Sequence, residues 1–110
     1  MNDVVSFEDF KKINIKIAKI LSVEEHPDAE RLYVLKIDIG EEQPCQIVAG
    51  IKTAYEKEEL VGKKILVVAN LQPAVIRGVE SNGMLLAARV DDKPVVISPD
   101  KDIPVGIMLG

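Results

Sequence analysis

The sequence has no tryptophan, one histidine and one cysteine, and its rings are two tyrosines and two phenylalanines. Each shortage closes off a class of function. Cys45 has no second cysteine to pair with, so no intramolecular disulfide forms, and the expected setting is the reducing cytosol. His26 stands alone before a proline, which leaves a His/Cys metal cage or a Ser–His pair without its second member. It is expected to be a surface turn residue, and no metal or cofactor is expected. Phosphate loops of the GxxxxGK[ST] or GxGxxG form are missing. The acidic pairs Glu24 and Glu25, Glu41 and Glu42, and Asp91 and Asp92 fall at turns or strand ends, where neighbours point to opposite faces. An enzyme is therefore not expected. No apolar run approaches the roughly 20 residues that span a bilayer, and the first ten residues lack the basic and apolar regions of a secretory signal.

What is present suits one soluble domain over residues 1–110, with 47% hydrophobic and 29% charged residues. The net charge of −4 argues against phosphate binding until its distribution is considered. Residues 1–59 hold eight basic and thirteen acidic side chains, and residues 90–110 hold two and four. Residues 60–89 hold Lys63, Lys64, Arg77 and Arg89 against Glu80 alone. One segment of an acidic chain is thus net positive.

Ser6 and Asp9 fit a loose capping box and predict a short helix over residues 6–11. A two-residue period then predicts a strand over residues 13–24, with Ile13, Ile15 and Ile17 on one face and Asn14, Lys16 and Ala18 on the other. The turn at His26 to Ala29 leads to strands over 32–39 and 45–50. Helix formers fill 55–60, and strands are expected over 64–70, 84–90 and 95–97. Three strands, a helix and two strands is the element order of an OB-fold. The expected fold is all-β: a five-stranded OB-fold barrel with short helices and a C-terminal extension. A generic small barrel or sandwich fits the pattern too.

The passage VANLQPAVIRGVESNGMLLAA, residues 68–88, joins two apolar strands through a loop with polar ends. Arg77 lies in that loop without an adjacent acid and suits phosphate or a base; a solvated loop charge is the plainer reading. Asn70 is a turn residue or an amide offered to RNA. Ser81 caps a turn or donates to RNA. Met84 is core by default, or a thioether over a base. Gly78 and Gly83 are read as turn glycines. Lys16, Lys36 and Lys52 are solvent-face charges unless the early strands form a binding face. So few rings disfavour a long single-strand track and favour recognition of folded RNA by shape and backbone.

The same passage resembles the signature NLxPxKxxGxxSxGMxLAA of the tRNA-binding domain family. That family includes the C-terminal domain of methionyl-tRNA synthetase and a stand-alone structure-specific tRNA-binding protein. SFEDFKKINIKIAKILSVEEHPDAERLYVLKIDIG and IVAGIKTAYEKEELVGKKILVVANL are similar to its opening and middle. The resemblance implies a dimeric OB-fold that binds tRNA by shape, without a catalytic site, and assists an aminoacyl-tRNA synthetase, methionyl first, by raising local tRNA concentration. Asn70, Pro73, Gly78, Ser81, Gly83 and Met84 match the family pattern. Ala74 and Val75 stand where basic residues are usual, Lys16 where arginine is typical and Arg31 where lysine is typical. The contact set so expected is Asn70, Arg77, Ser81, Met84, Lys16, Lys36, Lys52 and Arg31. The apolar Ala74, Val75 and Ile76 keep open a chaperone-like or interaction module that binds peptides on the same face. The apolar tail over residues 95–109, held extended by Pro99 and Pro104, predicts a homodimer.

Overall fold

A computed structural model describes residues 3–110. The first element is a single turn, α1 (Phe7–Phe10), started by the Ser6 hydroxyl, which accepts from the Asp9 amide at 3.0 Å. Four antiparallel strands follow, with a short helix among them: β1 (Ile15–Glu25), β2 (Tyr33–Asp38), β3 (Cys45–Ala49), α2 (Lys57–Leu60) and β4 (Lys64–Val68). The expected strand over 84–90 is two strands, β7 (Met84–Leu85) and β8 (Ala87–Val90). The break lies at Leu86, where the backbone changes partner: its amide still bonds Leu66 on β4, while its carbonyl accepts from Ile97. The barrel sheet runs β3-β2-β1-β4-β7, with α2 between the third and fourth strands. This is an all-β, OB-type five-stranded barrel with short helices and a C-terminal extension.

The loop expected between Asn70 and Gly83 is itself a hairpin, β5 (Ala74–Ile76) with β6 (Val79–Ser81). Its two-residue turn has Arg77 at φ 52° and Gly78 at φ 90°, the doubly left-handed form whose twist suits a hairpin. The extension opens with a second such hairpin. Asp91 and Asp92, both at positive φ, turn β8 into β9 (Lys93–Val96).

The expected inward face of β1 is reversed. Ala18 and Ile20 lie in the core cluster with Leu35, Ile37, Ile47, Leu60, Ile65 and Val67, and Ile13 is exposed. A bulge between Ile20 and Ser22 then moves the inward phase by one, so Val23 and not Ser22 joins the core. Ile17 points the other way and is also buried. The tail runs beside it. The Gly106 amide donates to Ile17 O, the Ile17 amide donates to Ile107 O, and β10 (Met108–Leu109) pairs Ile15 and Lys16. The tail therefore packs on its own barrel. A Cβ on Gly40 would lie 2.9 Å from Gly106 Cα, so two glycines allow this crossing.

Gly78 and Gly83 differ in kind. Gly78 needs only its left-handed φ, since open space surrounds it. Gly83 has no such φ, contrary to the turn reading. A Cβ there would lie 2.9 Å from the Val68 carbonyl oxygen and 3.4 Å from the Ile47 and Val67 side chains. Gly78→Ala should cost about 1 kcal/mol through backbone strain, and Gly83→Ala about 2–3 kcal/mol because backbone must move. Urea unfolding of both variants orders them, and a costlier Gly78→Ala would contradict the steric account.

Candidate nucleic-acid interface

The β5–β6 hairpin stands against the edge of β3 and is fixed there by side chains. The Ser81 hydroxyl accepts from the Val48 amide at 3.0 Å and donates to the Gly83 carbonyl at 3.0 Å. The Gln46 side-chain amide donates to Glu80 O at 2.8 Å, and the Asn82 amide donates to Gln46 O. These bonds satisfy the strand edge that would otherwise gape between β3 and β7. Ser81 is buried with both hydrogen-bonding roles engaged.

The tip is fixed to the turn after β1. His26 is buried, not a surface turn residue. Its Nδ1 accepts from the Asp28 amide at 2.9 Å, and its Nε2 lies 2.9 Å from the Ile76 carbonyl oxygen. A carbonyl can only accept, so the proton sits on Nε2. Arg77 completes the contact, with one guanidinium nitrogen donating to Asp28 O at 3.0 Å. Arg77 and Arg31 thus share one cleft, lined also by Asp28, Ala29, Glu30 and Leu32. Neither arginine has a carboxylate in ion-pair range among the described residues.

The other sequence-derived candidates scatter. Lys36 is exposed on the outer face of β2, beside Ser22 and Gln46 in register, and lines a shallow hollow with Pro73, Glu80 and Asn82. Lys16 lies in the inward phase at the barrel mouth, opposite the core residue Val67, and reaches Glu41 at 3.8 Å. Lys52 pairs with Glu25 at 2.9 Å. The lysines Lys52 and Lys57 hold the Glu25 carboxyl below its ordinary range. Asn70 braces the chain entry: its Oδ1 accepts from the Asn14 amide at 2.8 Å and its Nδ2 donates to Lys12 O at 2.6 Å. Met84 is about half exposed at the rim of a cavity of about 470 Å³ between the two hairpins, with Leu71, Ala74, Ile76 and Ala87. Arg89 is the one charged side chain lining it among the described residues.

One group escaped sequence reading. His26 carried no signal, since its partner is fifty residues away. The tyrosines are internal. Tyr33 is buried and its hydroxyl donates to Tyr55 O; the Tyr55 hydroxyl accepts from the Val96 amide. Burial and the Glu56 charge push the Tyr33 hydroxyl up from its ordinary pKa. Burial and Glu41 do the same to the half-buried Cys45 thiol. No group of three or more potential metal ligands occurs among the described residues. No helix among them is long and apolar enough to cross a membrane.

The family model described as "Putative tRNA binding domain" matches residues 15–108. The methionine–tRNA ligase of Thermococcus kodakarensis is 46% identical over 104 residues, which is 94% of this chain and 14% of that protein. The methionine–tRNA ligase of Methanococcus aeolicus is 51% identical over 104 residues, covering 94% of this chain and 15% of the relative. The chain thus spans about one seventh of the length of these curated relatives. Among solved structures, a MetRS related protein from Pyrococcus horikoshii superposes with a TM-score of 0.90 at 33% identity, covering 99% of this chain and all of that one. The chaperone CsaA from Bacillus anthracis superposes with a TM-score of 0.88 at 28% identity, covering 98% and 100%.

Ser81→Ala leaves the buried Val48 amide without an acceptor, which should cost about 1–3 kcal/mol. Thermal unfolding followed by circular dichroism measures it, and an unchanged midpoint would show that water replaces the hydroxyl.

Proposed function

Because this chain belongs to the tRNA-binding domain family, we propose that it is a one-domain, non-catalytic tRNA-binding module. It reads tRNA by shape and phosphate backbone. It assists an aminoacyl-tRNA synthetase in the cytoplasm, methionyl by its relatives, by raising the local concentration of tRNA. One observation carries the reading. Arg77 occupies a left-handed backbone conformation in which its Cβ crowds the backbone, at the tip of a hairpin pinned to a rigid barrel, with Arg31 in the same cleft. Strain kept at an exposed cation points to use of that cation. Four of its five N–H donors remain for a phosphate.

The contact set is then led by Arg77, Arg31 and Lys36, with Met84 at the rim. Lys16 and Lys52 join only if RNA displaces Glu41 and Glu25 from them. Asn70 and Ser81 act by holding the scaffold. Tyr33 is buried and Tyr55 half-buried, and the exposed rings Phe7 and Phe10 lie in one turn, which agrees with shape recognition over a long track of stacked bases.

A second reading, a chaperone-like or protein-interaction module, draws on the apolar cavity between the hairpins and on the likeness to CsaA. Competition between total tRNA and an unfolded polypeptide separates the two. A homodimer belongs to the first reading. Phe7, Phe10 and Ile13 at one end of the chain and Ile107 and Met108 at the other remain exposed, apolar surface of the kind a two-fold interface buries. Light scattering at micromolar concentration should give twice the chain mass of 12.1 kDa; the monomer mass rejects the dimer.

Arg77→Asn should keep or improve stability, because asparagine suits the left-handed turn position. It should weaken tRNA binding roughly fivefold near 0.15 M salt and lower the salt slope by about 0.7–0.9. Arg77→Glu should weaken binding more than Lys12→Glu. Filter binding of several tRNAs at two salt concentrations tests this. Equal losses from the two glutamate variants, or a strong preference for one anticodon, would reject the interface.

A further inference from the structure

The hairpin has two sets of tethers, and they do different things. Gln46, Ser81 and Asn82 hold its base and complete the barrel. The tip is held only by the turn that follows β1, among the hydrogen bonds of the described residues. That turn is organised by His26. Its backbone amide bonds Leu32 O across the turn, and its Nδ1 receives the Asp28 amide. Its Nε2–H then crosses fifty residues of sequence to Ile76 O, one peptide before Arg77. Arg77 returns to Asp28 O. The four groups close a ring: His26 to Ile76, Ile76 to Arg77 by the chain, Arg77 to Asp28, Asp28 to His26.

We propose that His26 is a positioning residue for RNA phosphate recognition: its imidazole locks the hairpin tip so that the Arg77 guanidinium is presented in one orientation beside Arg31. The proposal deepens the tRNA-binding reading and rests on it. The geometry demands an imidazole-like group. One ring nitrogen must accept from a backbone amide and the other must donate to a carbonyl, in opposite directions across a buried ring. Only the neutral ring with its proton on Nε2 meets both needs. Without the ring the Ile76 carbonyl loses its donor, and the two-residue turn is free to swing on β5 and β6, each three residues long. An arginine side chain free to sample many rotamers forfeits the preorganisation that makes a phosphate contact productive. His26 touches no RNA in this account. It acts through Arg77.

The experiment is a double-mutant cycle on the full chain, read by tRNA affinity and its salt slope. The arms are His26→Ala, Arg77→Asn, the pair, and each combined with Lys36→Gln. His26→Ala should weaken tRNA binding roughly fivefold and lower the slope by about 0.7–0.9, as loss of one phosphate contact does. The pair should bind no more weakly than Arg77→Asn alone, while His26→Ala and Lys36→Gln should add. His26→Gln can still donate to Ile76 O and should recover part of the loss; it also serves if His26→Ala does not fold. A purely structural histidine would lower thermal stability and leave the slope unchanged. That result, or additive losses from His26→Ala and Arg77→Asn, overturns the proposal. Parent affinity in Arg77→Asn, or no tRNA binding by the parent chain, overturns the interface itself and this inference with it.

Discussion

Closure of the barrel between β3 and β7 is the constraint on which the remaining structure depends. The two strands approach without a shared ladder, and the gap is filled by three residues. Ser81 caps the buried amide of Val48, Asn82 bonds Gln46, and Gly83 slips past the Val68 carbonyl where a Cβ has no room. Nothing larger than glycine permits that crossing without moving backbone. Chain that has just left β4 must therefore make an excursion before it returns as β7, and the excursion is the β5–β6 hairpin. The cation at its tip is presented because the barrel has to close at its base.

The elements legible in the sequence were those whose cause is local. Ser6 caps α1 through the neighbouring Asp9 amide. In β2, Tyr33, Leu35 and Ile37 reach the core, as alternation requires. What escaped notice had a distant cause. The bulge after Ile20 shifts the inward phase of β1, and no residue there announces it. Ile17 is buried, as the isoleucine period suggested, but outside the main core cluster, and the tail that runs beside it comes from the far end of the sequence. The β5–β6 hairpin was hidden because arginine is an unusual residue for the first position of a left-handed turn. His26 looked like a turn residue because its second partner lies on the far side of the fold.

The candidate site divides in the same way. The signature passage carries both scaffold residues and the proposed contacts, and residue type alone cannot separate them. Asn70 and Ser81 are polar side chains in a suggestive loop, yet their amide and hydroxyl are engaged by backbone. Arg77 sits seven residues from Asn70 and has one donor engaged. The distinction is one of geometry: a short polar side chain near a strand edge finds a backbone partner, whereas a guanidinium has more donors than a single carbonyl can use. Lys16 shows the converse. It alternates correctly with the isoleucines, but the reversed strand puts it at the barrel mouth against Glu41.

An acidic protein with two structural tyrosines and no tryptophan has few means of binding RNA. Non-specific attraction is weak because the net charge repels the polyanion. The exposed rings among the described residues, Phe7 and Phe10, sit together in the single turn α1, and the tyrosines offer little to stack on, since Tyr33 is buried and Tyr55 half-buried. What remains is a small number of cations held at defined places. Such a surface discriminates only if those places do not move, because a flexible cation follows any phosphate and reports no shape. On the proposed function, rigidity is the source of selectivity, and the barrel supplies it through the bonds that hold the hairpin. On the proposed function, the backbone strain at Arg77 follows from holding a cation at the tip of a two-residue turn.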